Sequence, residues 1–312
     1  SEMCIRDRRS AGKEIAFMGK TYTVEEATFD SFKGMDIALF AGGSISKDFA
    51  PHAVKAGAVV IDNSSAFRMD PEVPLVVPEV NPQAILKHKG IIANPNCSTI
   101  IMVMALKPIY DLAKIKRVIV STYQAVSGAG KEGIDELDAQ VREHSEGREM
   151  TANILPSASA EKHYPIAFNL IPQIDVFCDN LYTKEEMKMV NETKKIMEDY
   201  EMRITATTIR VPVYRSHSES VNIELEKEVD LGAMREALAK FPGVTVQDDP
   251  SKQEYPMPLY TSEKDDVYVG RLRRDESCEK SYNMWVVGDQ IRKGAALNTL
   301  QIAETMIKNG WI

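Results

Sequence analysis

The stretch Gly90-Ile91-Ile92-Ala93-Asn94-Pro95-Asn96-Cys97-Ser98-Thr99-Ile100-Ile101-Met102 constrains this chain more than any other. An apolar run of strand type stops at Asn94-Pro95-Asn96, and a helix rich in Ile, Met, Val, Ala and Leu begins directly behind Cys97. The junction places a cysteine at a helix N-terminus. Unpaired backbone N–H groups and the positive end of the helix dipole there favour a thiolate over a thiol, which makes cysteine nucleophilic. Ser98 and Thr99 can supply further donors. On position alone, a buried structural thiol is the competing reading.

With 312 residues and 44% hydrophobic content the chain is long enough for two domains and a substantial core. A formal charge of -8 and the lack of a basic cluster argue against a nucleic-acid surface. The longest apolar runs, such as Ile100 to Leu106, are too short to span a bilayer, and no signal-peptide pattern is present, so a cytoplasmic protein is expected. Four cysteines, at positions 4, 97, 178 and 278, form no C-x-x-C pair or ligand cluster, so neither a disulfide framework nor a metal site is expected. The five histidines are equally scattered, and any Cys/His pair must be made by the fold.

In chain order, 15–17 and 21–24 read as a strand pair around Gly19. The apolar strand 36–40 ends in Ala41-Gly42-Gly43-Ser44, a helix covers 46–56, and a strand covers 58–62. Strand, glycine turn, helix, strand is the signature of a right-handed βαβ unit in a parallel sheet. The small residues around Gly42 let a ligand approach the backbone, although an ordinary tight turn has the same look. Arg68 sits where a strand empties into the expected crevice and is suited to an anion. A helix over 98–112 leads into the strand 117–124, which places Gln124 at a strand end beside the small-residue loop 125–131. Helices are expected at 132–146, 184–200, 230–240 and 294–310, with strands at 204–213, 220–225, 267–273 and 283–287. Arg210 lies within an apolar strand and needs an anionic partner if it is buried. His217 falls in a Ser-rich turn, where a solvated histidine is the commoner outcome, yet it is close enough to Arg210 to reach the same cleft. The first third is parallel α/β in character and the segment 117–289 is mixed, which puts a domain boundary near Cys97.

Four motifs, in this order, carry a resemblance to the bacterial aspartate-semialdehyde dehydrogenases: Asn94-Pro95-Asn96-Cys97-Ser98-Thr99, the run from Ser121 to Gly130, Arg210-Val211-Pro212-Val213 with His217-Ser218, and Gly288-Asp289-Gln290 with Lys293-Gly294-Ala295-Ala296. The resemblance implies an α/β fold: a Rossmann-type parallel-sheet domain binding NADP, formed by 1–96 with 290–312, and an α+β catalytic and dimerisation domain over 97–289. It implies reductive dephosphorylation of L-aspartyl 4-phosphate by NADPH to L-aspartate 4-semialdehyde and phosphate, on the way to lysine and diaminopimelate, threonine, methionine and isoleucine. Cys97 would form the thioester, His217 act as acid/base, and Gln124 orient the substrate. By the same likeness Arg210 clamps the α-carboxylate, Glu185 meets the ammonium, and Arg68, Asn96 and Lys188 hold phosphate. Adjacent Glu186 is the alternative to Glu185, and an ordinary intrahelical pair is the alternative for Glu185 and Lys188. The implied cofactor contacts are Arg9, Ser10, Gly42, Ser127, Gly128 and Gln290, and the implied assembly is a homodimer.

The resemblance departs at the front, where the family's first strand and G-x-x-G-x-x-G turn have no counterpart, and 1–8 are expected to be foreign or disordered. The C-terminus at Ile312 is likewise expected to stop slightly early. On that reading the chain as written is truncated, binds NADPH weakly and is nearly inactive, whereas a version with the front restored is active. Two rivals remain at this point: an N-acetyl-glutamyl-phosphate reductase-like phosphorylating dehydrogenase, and a catalytically silent dimerisation partner.

Overall fold

The computed structural model describes residues 5–7 and 10–312. In chain order the elements are β1 (Glu14–Phe17), β2 (Lys20–Thr23), β3 (Ile37–Phe40), α1 (Ser46–Lys55), β4 (Val59–Asp62), β5 (Ile91–Ala93), α2 (Cys97–Leu112), β6 (Ile115–Gln124), α3 (Lys131–Ser145), α4 (Lys184–Met197), β7 (Arg203–Arg210), β8 (His217–Leu225), α5 (Leu231–Lys240), β9 (Val244–Val246), α6 (Pro258–Thr261), β10 (Val267–Arg274), β11 (Ser281–Gly288) and α7 (Leu297–Asn309).

Among the described residues, β3, β4 and β5 form a parallel three-stranded sheet in that order. Successive strand residues point to opposite faces, so a sheet covered on both sides needs a continuous apolar run. Val60 and Ile61 meet that need. Val60 packs with Phe49, Ala50 and Ala53 of α1, while Ile61 packs with Ile302, Ala303 and Met306 of α7. The last helix of the chain therefore returns to the first sheet. Outside β3 lies a cavity of about 570 Å³ lined by Arg6, Ala38, Phe40, Gly42 and Ser46 among others.

The second sheet has six strands in the order β7-β6-β8-β11-β10-β9, with β7 parallel to β6 and β9 parallel to β10. Helix α2 lies across it. From Ile100 to Leu106 every side chain of α2 is fully buried, as expected for a helix that is apolar on all sides. Its residues share one core with Val118 and Val120 of β6, Val221, Ile223 and Leu225 of β8, and Val286 of β11. Val73, Leu75, Val77 and Ala93 join the same core, so apolar packing runs unbroken from the end of the first sheet into the second.

Several expectations need correction. Residues 5–7 are not disordered: Arg6 forms a parallel bridge with Glu25, and Asp7 N–H donates to the Glu25 carbonyl at 3.0 Å. An Arg6–Glu25 ion pair at 3.2 Å adds to the backbone ladder. The strand ending at Val213 stops at Arg210, because Pro212 has no N–H to continue the ladder. Helix α4 ends at Met197, where Glu198 turns into the left-handed region at φ 52°. His217 belongs to no turn; it opens β8. The last helix begins as a π-turn over Arg292–Ala296.

Gly90, at φ 99°, leads into β5, and a Cβ there would lie 2.5 Å from Val54 Cγ1 of α1. Gly90→Ala is expected to destabilise the chain by about 2 kcal/mol, read as a lower midpoint in urea at unchanged slope.

Candidate active site

Three strand ends and one helix end make the site. Gln124 closes β6 and is in register with Arg210, which closes the parallel strand β7. The antiparallel neighbour β8 begins with His217 at the same end of the sheet. Cys97 is the first residue of α2, whose cap is Asn96: its side-chain oxygen accepts the N–H groups of Ser98 at 3.1 Å and Thr99 at 3.2 Å. Cys97 Sγ lies 3.5 Å from His217 Nε2, and Gln124 Nε2 is also 3.5 Å from that nitrogen. The fold thus supplies the Cys/His pair that spacing alone does not.

Backbone geometry fixes the imidazole. The Ala125 N–H donates to His217 Nδ1 at 3.1 Å, so in neutral imidazole the proton resides on Nε2, which faces sulfur. Burial and then the neighbouring Arg210 hold His217 far below its ordinary pKa, at about 3, which keeps it neutral. The Cys97 thiol is pushed up to about 12 by burial first and by Glu185 second, against the opposing pull of Arg68, Arg210 and the Ser98 N–H. The resting pair is therefore thiol and neutral imidazole. This corrects the expectation of a resting thiolate: desolvation outweighs the helix end, whose Ser98 N–H is shared between Asn96 and the sulfur.

Arg210 is 4% exposed, with Nη1 donating to the Ala125 carbonyl at 2.7 Å and Nε left without a hydrogen-bond partner. Among the described residues no carboxylate forms an ion pair with it; burial lowers its pKa, and Glu185 and Cys97 oppose that only through space.

Helix α4 delivers the remaining charges. Thr183 and Glu186 form its capping box, and Glu186 also accepts the Thr208 N–H at 3.0 Å, so Glu186 is a structural residue. Glu185 instead faces the site. It accepts from Asn96 Nδ2 at 2.9 Å and Gln124 Nε2 at 3.2 Å, and pairs with Lys188 at 3.0 Å. Burial raises its pKa, but Lys188 and these hydrogen bonds overcome that and bring it down to about 2. The intrahelical Glu185–Lys188 pair weighed as an alternative exists, inside the site. Lys188 also binds Asp175 at 3.0 Å and is held well above its usual range once burial is outweighed by both carboxylates. Arg68 is anchored by the carbonyls of Asn94 at 2.9 Å and Asn63 at 3.1 Å and by Glu192 at 3.3 Å.

Of the residues expected to meet a cofactor, Ser127, Gly128 and Gln290 stand beside the Cys97/His217 pair. Gln290 Nε2 donates to Ser127 Oγ, and its Oε1 accepts the Ser216 N–H at 2.8 Å. A Cβ on Gly128 would come 2.7 Å from Arg210 Nη1 and 3.3 Å from His217 Cε1. Gly294 in the π-turn is as tight, its Cβ position lying 3.0 Å from Cys97 Cβ. Gly42 lines the cavity beside β3, and Ser10, whose N–H donates to Asp7 at 2.9 Å, follows the segment that closes that cavity. Arg9 lies outside the described residues.

Sequence reasoning missed Glu192 and Glu219. Glu192 belongs to a stripe with Glu185 and Lys188 at helical spacing, a pattern readable in the sequence once α4 is placed against Arg68. Glu219 is fully buried on the face of β8 that carries His217, and both its oxygens lack partners. Only its position two residues after His217 hinted at burial.

Comparison with known proteins agrees with this architecture. Residues 2–88 match the family model described as semialdehyde dehydrogenase, NAD binding domain, and residues 106–293 match the semialdehyde dehydrogenase dimerisation domain. The nucleotide-domain match from residue 2 removes the ground for calling 1–8 foreign. Fold and site together define a semialdehyde dehydrogenase. The chain is 57% identical over 308 residues to aspartate-semialdehyde dehydrogenase of Aquifex aeolicus (strain VF5), covering 97% of this chain and 89% of that one. It is 53% identical over 306 residues to the enzyme of the same name from Bacillus subtilis (strain 168), covering 97% and 88%. The solved aspartate semialdehyde dehydrogenase II of Vibrio cholerae, complexed with ASA, superposes with a TM-score of 0.93 at 45% identity, covering 99% of this chain and 90% of that one. The chain belongs to the aspartate-semialdehyde dehydrogenase family.

Two measurements test these electrostatics. With its thiol at about 12, Cys97 of the free protein is expected to react slowly with iodoacetamide at pH 7, and about tenfold faster per pH unit up to pH 9, without a plateau near neutrality, as followed by peptide mass spectrometry. Glu219 is raised well above 4.5 by burial, so its contribution to stability is present below that pH and is lost as pH rises. Glu219→Gln is therefore expected to raise Tm at pH 8 and leave it nearly unchanged at pH 4.

Proposed function

We propose that this chain reduces L-aspartyl 4-phosphate with NADPH to L-aspartate 4-semialdehyde and phosphate, a step of amino-acid biosynthesis. The observation that carries the reading is the meeting of Cys97, Gln124, Arg210 and His217 at one end of the six-stranded sheet, with a buried guanidinium Nε lacking a partner. A substrate α-carboxylate meets Arg210, and its ammonium meets ionised Glu185. Arg68, Asn96 and Lys188 hold the phosphoryl group. The S–H bond of Cys97 breaks and its proton passes to an oxygen of the acyl phosphate; sulfur attacks the acyl carbon, the S–C bond forms, the C–O bond to phosphate breaks, and a thioester and protonated phosphate result. The Nε2–H of His217 hydrogen-bonds sulfur while the S–H bond breaks, and later donates to the carbonyl oxygen of the thioester as that oxygen gains charge. Gln124 holds the reacting carbonyl in line.

The residues present fit a dinucleotide. Ser46 Oγ is buried without a partner at the start of α1, beside Gly42 and the cavity, which suits phosphate oxygens. Gly128 and Gly294 leave room by the Cys/His pair that a Cβ would fill. Ser10, Gly42, Ser127, Gly128 and Gln290 would hold the cofactor, which when bound supplies the hydride that reduces the thioester. NADP is the form named for a solved relative from Candida albicans, 23% identical with a TM-score of 0.75.

We assign the nucleotide-binding unit to 1–96 with 290–312, supported by α7 packing on β4, and the catalytic and dimerisation unit to 97–289. A homodimer suits the apolar surface of the second unit, where Phe168, Leu170, Phe177 and Leu181 are exposed. Among the described residues no helix is long and apolar enough to cross a membrane, in keeping with a cytoplasmic location. The N-acetyl-glutamyl-phosphate reductase and silent-partner readings have no support among the relatives, whose names agree, or in the site, which is complete in Cys97, Gln124 and His217.

The deciding assay follows NADP reduction with aspartate semialdehyde and phosphate as substrates. Cys97→Ala is expected to lower kcat by at least about 10⁴-fold, and Arg210→Lys to raise KM for the semialdehyde about 100-fold by loss of the bidentate fork. An Ala variant that keeps its rate would falsify the covalent mechanism.

A further inference from the structure

Glu192 is only 1% exposed, yet it is aimed at two of the three residues assigned to phosphate. Its Oε2 accepts the Asn96 N–H at 2.6 Å, and its Oε1 lies 3.3 Å from Arg68 Nη1. The third, Lys188, is one turn away on the same helix. We propose that Glu192 is a positioning residue that sets how tightly phosphate is held: it clamps the backbone before Cys97 and offsets the charge of Arg68, so that the phosphate expelled by sulfur departs. The inference rests on the assignment of Arg68, Asn96 and Lys188 to phosphate.

A phosphate dianion between an arginine, a lysine and a helix N-terminus is bound strongly when water is excluded. A carboxylate beside the arginine repels that dianion and competes for the same guanidinium. Arg68 does not need Glu192 to keep its place, because Nε donates to the Asn94 carbonyl at 2.9 Å and Nη2 to the Asn63 carbonyl at 3.1 Å. The carboxylate is thus redundant for orientation; burial raises its pKa, Arg68 and the Asn96 N–H oppose that rise, and the ionised form stands against the ligand. A residue selected for packing or for an ion pair alone has no reason to stand where it weakens substrate binding. The Asn96 N–H asks only for an oxygen, which an amide supplies equally well.

The test uses the full chain and compares it with Glu192→Gln, which removes the charge and keeps an acceptor for Asn96. In NADP reduction with inorganic phosphate and aspartate semialdehyde, KM for phosphate is expected to fall about tenfold, with KM for the semialdehyde moving by less than about twofold. In the reductive direction, inhibition by added phosphate is expected to tighten by a similar factor. A purely structural role predicts a raised or unmoved phosphate KM, and either result in a folded variant overturns the proposal. If Glu192→Gln does not fold, Glu192→Asp decides on the same readout, since the shorter carboxylate withdraws from Arg68: a lowered phosphate KM supports the proposal and any other result overturns it. A wild-type chain whose NADP reduction does not depend on phosphate sinks the functional reading itself, and this inference with it.

Discussion

The hydrogen bonds of Asn96 join parts of the molecule that are otherwise distant in sequence. Its side-chain oxygen ends α2, its side-chain nitrogen reaches Glu185, and its backbone N–H reaches Glu192, both on α4. A helix as completely buried as α2 cannot leave its first N–H groups bare, because each unsatisfied donor in such surroundings costs about 1–3 kcal/mol. Capping is thus required by the core before any chemistry is considered. The residue that meets the requirement also fixes where Cys97 begins and how α4 faces it.

The same core explains the state of the nucleophile. A helix N-terminus lowers a thiol's pKa when solvent and free N–H groups reach the sulfur; here burial removes the solvent and the Ser98 N–H is shared with Asn96. Arg68 and Arg210 pull the thiol down, burial and Glu185 push it up, and burial wins. The imidazole is kept neutral by the same burial, with its tautomer set by the Ala125 N–H. The resting protein stores little charge on the Cys/His pair; the charges around it sit on Arg68, Glu185, Lys188 and Arg210.

Much of this was legible in the sequence. The apolar runs at 58–62 and 98–112 read as a strand of a parallel sheet and a helix, and α1, α2, α3 and α5 begin or end within a residue or so of where periodicity and turn residues put them. The motifs identified Cys97, Gln124, Arg210 and His217, and the structure brings these four together. Less visible was anything decided by tertiary packing. His217 in a run of serines resembles a solvated residue until β6 and β11 close over both sides of its strand. Glu192 and Glu219 look like ordinary surface carboxylates because a sequence does not reveal which face of an element is covered. Residues 5–7 show no periodicity because their order comes from a ladder with Glu25, not from an element of their own.

Gly128 and Gly294 both border the Cys/His pair, the first against Arg210 and His217 and the second against Cys97. Main chain, not side chain, bounds the chamber at both places. Point substitution there can only shrink it; enlarging it requires moving the loop after β6 or the π-turn before α7 as whole bodies. Any enlargement by point substitution is left to the Arg210 and α4 sides, and the two glycine walls keep a nearly fixed width.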